Sequence, residues 1–166
     1  FHAPTRGLMG YTSRFLTLTK GTGVINRIFH GYGKFEGEMD GRKNGALISM
    51  STGKAVAFAI FNLQARGEMF VTHNDPVYEG MIVGLTPKPG DMIINVMKGK
   101  QLTNMRTQGT DENVVLTPVR QMSIAEQLSM LNTDEALEIT PKSLRLRKAI
   151  LNPHDRKKSE KSGAAA

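Results

Sequence analysis

Between Lys98 and Thr110 the sequence reads KGKQLTNMRTQGT, with three basic residues (Lys98, Lys100, Arg106), no acidic one, and the polar donors Gln101, Thr103, Asn104, Thr107 and Gln108. Lysine and arginine neutralise phosphates, while Asn, Gln and Thr hydrogen-bond phosphate, sugar or base edges. The chemistry on offer is therefore the binding of a polyanion, RNA above all. Gly99 and Gly109 permit sharp bends and close backbone approach. Aromatic side chains are missing from this stretch, which argues against base stacking and for reading RNA shape and backbone. Leu102 and Met105 are its only large apolar residues. Long segments that bury so little are, inside a compact domain, either functional or disordered.

A second concentration of charge lies near the end of the chain. The formal net charge is +7, and Pro141 to Lys161 holds eight basic residues (Lys142, Arg145, Arg147, Lys148, Arg156, Lys157, Lys158, Lys161) against Asp155 and Glu160. A clustered positive field favours polyanions through steering and counterion release. A solvated, partly disordered terminus has the same composition, and charge alone leaves both readings open.

Other chemistry is thinly represented. Without a G-x-x-x-x-G-K-[ST] phosphate loop, the glycines of KGTG and STGK read as turn residues. His2, His30, His73 and His154 are scattered, with no metal-like i, i+4 pair. Ser13, Ser49, Ser51 and Ser123 lack the context of a nucleophile elbow. The acidic pairs Asp111/Glu112 and Asp134/Glu135 precede apolar segments and read as exposed turns. The absence of cysteine removes disulfides and the commonest zinc frameworks. The ten methionines read as core filler. No catalytic residue, metal ligand or cofactor site is expected in this chain.

The elements that must position these residues follow from periodicity. Leu8, Tyr11, Phe15 and Leu18 recur at helical spacing, and Gly21 and Gly23 stop the helix. TGVINRIFHGY reads as a strand. One helix and one strand enclose no core, so the first 35 or so residues are expected to be the second half of a split domain. Short strands are predicted at Ala46 to Met50, Ala55 to Phe61, Glu68 to Val71, Met81 to Leu85, Met92 to Met97 and Val114 to Pro118, separated by Gly/Pro turns. They suggest a small barrel or strongly curved sheet. The uninterrupted AVAFAIF is expected to be a strand buried on both faces. Ser123 and Glu126 form a capping box for a helix with Ile124, Leu128 and Leu131 on one face. ALEITP reads as a strand, and SLRLRKAI alternates, with Leu144, Leu146 and Ile150 inward and Arg145 and Arg147 outward. Asn152 is placed to cap a final turn opened by Pro153. No apolar run approaches the roughly 20 residues needed to cross a bilayer. A soluble, intracellular chain without a membrane partner is expected.

The segments RGLMGYTSRFLTLTKGTG, GKAVAFAIFNLQARGEMFV, VYEGMIVG, KGKQLTNMRTQGTDE and LEITPKSLRLRKAIL resemble, in that order, the C-terminal part of the BipA/TypA family of translational GTPases. The resemblance covers nearly the whole chain. It implies an α+β fold: a partial ferredoxin-like segment (residues 1–38), similar to the second half of domain V of elongation factor G, then a small, mainly β, barrel-like domain. That domain (39–151) would carry one or two short helices and a long polar loop (98–112), with a basic, partly disordered tail at 152–166.

What the family does is implied in the same way. Its members bind GTP through an N-terminal G domain, associate with the ribosome, and serve large-subunit assembly and translation under stress. GTP and magnesium would belong to the G domain, outside this sequence, so the chain itself is expected to be no enzyme. The resemblance places large-subunit rRNA and the acceptor end of A-site tRNA against Lys98, Gly99, Lys100, Leu102, Thr103, Asn104, Met105, Arg106, Gly109 and Thr110. From the charge cluster we add Arg145, Arg147, Lys148, Arg156, Lys157 and Lys158 as expected RNA contacts. The expected partners are the ribosome and the upstream domains of the same protein, the expected state is a monomer, and the expected location is the bacterial cytoplasm or a plastid stroma. A module of a different class, a β domain that binds protein and touches no RNA, is the alternative.

Overall fold

Apolar runs cut by Gly, Pro and Asp turns decide most of the architecture. The computed structural model describes residues 1–35, 37, 42–99 and 115–163, the side chain of Glu160 excepted. In chain order its elements are α1 (Tyr11–Leu18), β1 (Ala46–Ser49), β2 (Gly53–Lys54), α2 (Ala57–Gln64), β3 (Glu68–Met69), β4 (Pro76–Val77), β5 (Ile82–Leu85), β6 (Met92–Ile94), α3 (Ile124–Ser129), β7 (Glu135–Ile139), β8 (Leu144–Lys148) and α4 (Pro153–Gly163). The fold is α+β, and the chain divides into two units, Phe1–Lys43 with Gln121–Thr133 and Asn44–Arg120 with Asp134–Ala166.

The first unit is helical where local signals are strongest. Ser123 Oγ accepts from Glu126 N–H and Glu126 Oε2 accepts from Ser123 N–H, so the capping box that opens α3 is as expected. Its buried residue is Gln127, whereas Ile124 and Leu128 remain partly exposed, contrary to the apolar face anticipated. Gly10, at a φ of 69°, precedes α1, and a Cβ there would lie 2.7 Å from Ser129 Oγ and 3.1 Å from Ala125 O. Only glycine lets that turn lie so close to α3. Residues 22–35 form neither helix nor strand, and Val24, Ile28, Phe29 and Tyr32 are largely exposed. β-branched and aromatic residues favour extended backbone, but a strand exists only against a partner, and the described residues of this unit supply none.

The second unit holds the core. β1 is central in a four-stranded sheet of order β3-β5-β1-β6, antiparallel to β5 and parallel to β6. β2 pairs with β4, and β7 with β8 as a hairpin in register Glu135↔Lys148 through Ile139↔Leu144. These sheets retain edges, so the expected barrel does not close among the described residues. Leu47, Ile60, Leu63, Val71, Val77, Val83 and Val96 form the centre of the packing.

The segment AVAFAIF, anticipated as a strand, is most of α2 instead. Ala59, Ile60 and Leu63 are buried while Phe61 is 49% exposed, a one-sided pattern that suits a helix against a sheet. A short apolar run does not reveal its period. The usual start signal is also missing, because Val56 stands at the N-cap without a polar side chain. His73 Nδ1 supplies the acceptor, taking the Ala57 N–H at 3.2 Å.

Gly80 joins the hairpin to this sheet. Its N–H donates to Ser49 O at 3.0 Å and its carbonyl accepts from Lys148 N–H at 2.9 Å. Its φ is +82°, and an added Cβ would stand 2.7 Å from Leu151 Cα. Gly80→Ala should cost about 1–3 kcal/mol from backbone strain alone. A denaturant midpoint lowered at unchanged m-value is the expected result, and an unchanged midpoint would show that the turn relaxes freely.

Candidate nucleic-acid interface

Both described ends of the polar segment are tied to α2. Val96 O accepts from Val56 N–H at 2.9 Å just before the helix, and Asn95 Oδ1 accepts from Met97 N–H at 2.9 Å. Lys98 and Gly99 follow, both exposed. On the far side, Leu116 packs against the core and Gln64 grips Thr117 with both ends of its amide. Nε2 donates to Thr117 O at 3.2 Å and Oε1 accepts from Thr117 N–H at 3.3 Å. The strand expected at Val114 to Pro118 is thus not a strand over its described part: a side-chain amide, not a neighbouring strand, bonds both backbone groups of Thr117. Lys100, Leu102, Thr103, Asn104, Met105, Arg106, Gly109 and Thr110 lie outside the described residues.

The second group of candidates sits on β8 and α4. Arg145 Nη1 pairs with Glu138 Oε1 at 3.3 Å across the hairpin. Arg147 Nη1 donates to Lys148 O and Ala149 O at 3.1 and 3.4 Å, and Arg156 Nη1 donates to Ile150 O and Leu151 O at 3.0 and 2.5 Å. Asn152 Oδ1 accepts from His154 N–H at 2.8 Å, the cap anticipated for α4. Lys157, Lys158 and Lys161 are exposed. Ile150, expected inward, is 40% exposed, because the chain has already left the strand.

Lys148 must be withdrawn from the RNA-contacting set. Its side chain is 2% exposed, and Nζ lies 2.5 Å from Asp91 Oδ2, 2.6 Å from Asp134 Oδ2 and 3.0 Å from Glu135 Oε1. An ammonium enclosed by three carboxylates has no route to a phosphate. Of the Asp134/Glu135 pair, expected as an exposed turn, Asp134 is an exposed turn residue, but the Glu135 side chain is fully buried. Burial pulls the Lys148 pKa down, but hydrogen bonds to Asp134, Asp91 and Glu135 outweigh it and hold the ammonium above its ordinary value. Among the described residues no group of His, Asp and Glu is placed to hold a metal ion.

The model of the TypA/BipA C-terminal domain matches residues 44–153. The chain belongs to the TypA/BipA family. The protein named large ribosomal subunit assembly factor BipA in Buchnera aphidicola is 48% identical over 158 residues, covering 95% of this chain and 26% of that protein. Its namesake in Salmonella typhimurium is 46% identical over 159 residues, with the same coverage, and that in Haemophilus influenzae is 42% identical over 160 residues, covering 96% and 26%. The chain thus spans about a quarter of the length of these relatives.

Within this TypA/BipA domain, sequence reasoning missed Gln64 and His73, because each bonds backbone far from it in the chain. A third polar contact ties the hairpin to the sheet region: Tyr78 Oη donates to Glu138 Oε2 at 2.5 Å. Burial first, then the bond to Glu138, pushes the Tyr78 phenol up to about 12. The same bond, aided by Arg145 and opposed by burial, holds Glu138 below its usual value. In an alkaline absorbance titration, one of the three tyrosines should ionise near pH 12. Tyr78→Phe should remove that phase. Glu138→Gln should lower its midpoint only part of the way, because burial, the larger cause, remains. A titration without a late phase would refute the assignment.

Proposed function

We propose that this chain is the ribosome-binding C-terminal portion of a BipA/TypA translational GTPase. In this reading it contacts large-subunit rRNA and the acceptor end of A-site tRNA, and serves large-subunit assembly and translation under stress in the bacterial cytoplasm. GTP hydrolysis and its magnesium belong to a G domain elsewhere in the protein, and residues 1–38 complete a ferredoxin-like domain V. The observation that carries the reading is the match, over 95% of the chain, to proteins named as large ribosomal subunit assembly factors. The exposed Lys98 and the exposed lysines of α4 supply the charge such a partner requires.

Co-sedimentation of the chain with purified large ribosomal subunits across a salt series tests this. Each phosphate contact adds roughly 0.7–0.9 to the slope of log affinity against log salt. Several contacts should give a slope steeper than about −3. Tight binding with a shallow slope would favour an apolar protein interface and the protein-binding alternative. Absence of binding would overturn the proposal for this portion of the protein.

A further inference from the structure

The junction between β8 and α4 is unusual in its carbonyls. Four consecutive ones, at Lys148, Ala149, Ile150 and Leu151, each accept a bond from one of two guanidinium groups, Arg147 and Arg156. The next residue, Asn152, caps the helix with its side chain and accepts Arg156 N–H with its carbonyl at 3.1 Å. The carbonyls between strand and helix are therefore held one after another by side chains of the strand and of the helix.

Beyond this junction α4 is supported by little else. Among its described side chains Pro153 and Arg156 are partly buried, while His154, Asp155, Lys157, Lys158, Ser159, Lys161 and Ser162 are exposed. A polar helix of 11 residues has no apolar face to dock and is short for independent stability. Its lysines are nonetheless arranged. At about 100° per residue, Lys157, Lys158 and Lys161 fall within one arc of about 100°, with Asp155 outside it and Arg156 turned away. Lys157 and Lys161 stand at i, i+4, a like-charge spacing that weakens a free helix and is relieved when a polyanion lies along it.

We propose that α4 is an arm that binds the RNA phosphate backbone: Lys157, Lys158 and Lys161 make the contacts, and Arg147 and Arg156 are positioning residues that fix its direction. The proposal deepens the ribosome-binding reading and rests on it for the source of the RNA. An anionic membrane fits less well, because α4 offers no apolar side chain for a bilayer to take up beyond Pro153 at its start.

The test uses the whole chain, a short fluorescein-labelled RNA duplex, purified large subunits and amide hydrogen exchange. Lys157→Gln/Lys158→Gln/Lys161→Gln should reduce the salt slope for the duplex by about 2–3 without raising exchange in α4. Arg156→Lys conserves charge but loses the planar, fixed Nη1 that bonds both the Ile150 and Leu151 carbonyls. It should increase exchange across α4 with β1 and β5 unaffected, and weaken duplex binding by about tenfold, the worth of roughly one phosphate contact. An unchanged slope in the lysine variant, or unchanged exchange and affinity in Arg156→Lys, would overturn the arm. So would equal affinity for vesicles of anionic lipid. If the duplex results hold but large subunits are not bound, the ribosome reading falls and the arm stands. If subunits bind and none of these variants matters, the reading stands and the arm falls.

Discussion

Lys148→Met should lower the unfolding free energy by about 3–5 kcal/mol, the usual cost of removing one partner from a buried ion pair. The melting temperature should fall on the order of 10 °C or more. Methionine fills nearly the same volume, so the loss comes from charge: the fully buried Glu135, with Asp91 and Asp134, would face one another without the ammonium between them. Adding Glu135→Gln and Asp91→Asn should restore much of the loss. The amide oxygen introduced by Asp91→Asn could still accept the Ala46 N–H that Asp91 Oδ1 takes at 2.7 Å. The pH dependence has a definite sign. The folded pKa of Lys148 is raised, so its contribution is complete below the unfolded value and is lost as pH rises through the folded one. Tyr78, raised from 10.0 to about 12, acts in the same direction. Wild-type stability should therefore decline above about pH 10, and Lys148→Met should flatten part of that decline. Glu138 acts oppositely: its pKa is lowered, so its contribution is lost as pH falls below the usual carboxylate range. A variant as stable as wild type at neutral pH would show the network to be dispensable.

Lys148 also shows what a sequence carries and what it conceals. The period of two in LRLRK places Lys148 on the same face as Leu144 and Leu146, and the strand does bury it with Leu146. The pattern was legible, but charge suggested an exposed residue, and its three carboxylates come from two other stretches of chain. Local signals fared better. The Ser123–Glu126 box and the turns around β1, β5, β7 and β8 depend on near neighbours and are found where spacing put them. α2 was hidden because its cap, His73, lies 16 residues away and AVAFAIF shows no period. Residues 22–35 favoured extension, but no local pattern can say whether a partner strand is present. At the candidate interface, residue types exposed the basic segment while nothing in its own sequence named Gln64, whose amide fixes one end of it. Family resemblance read correctly through all of this, because whole-chain similarity does not depend on assigning each element.

The largest functional effect is expected from Lys98→Gln/Lys100→Gln/Arg106→Gln. If each residue neutralises one phosphate, the salt slope for large-subunit binding should fall by about 2–3 and affinity near 0.1 M salt by about 10²–10³-fold. Glutamine is shorter but keeps a polar, hydrogen-bonding side chain, so the main change is the loss of charge. Lys98 is exposed, and its replacement should leave the melting temperature unchanged. A substantial fall in melting temperature in the triple variant, traced by single substitutions to Arg106, would make that residue structural. An unchanged slope with full affinity would move the phosphate contacts to α4, where three exposed lysines could supply a slope of similar size. Combining both sets of substitutions separates these cases. Independent contacts made by segment and arm should lower the slope additively, whereas contacts confined to one group leave the other set without effect. Additivity would mean that two separately anchored elements engage RNA at once. One is tied to α2 through Val56 and Gln64, the other to β8 through Arg147 and Arg156, so the spacing between their phosphate targets would be set by the fold.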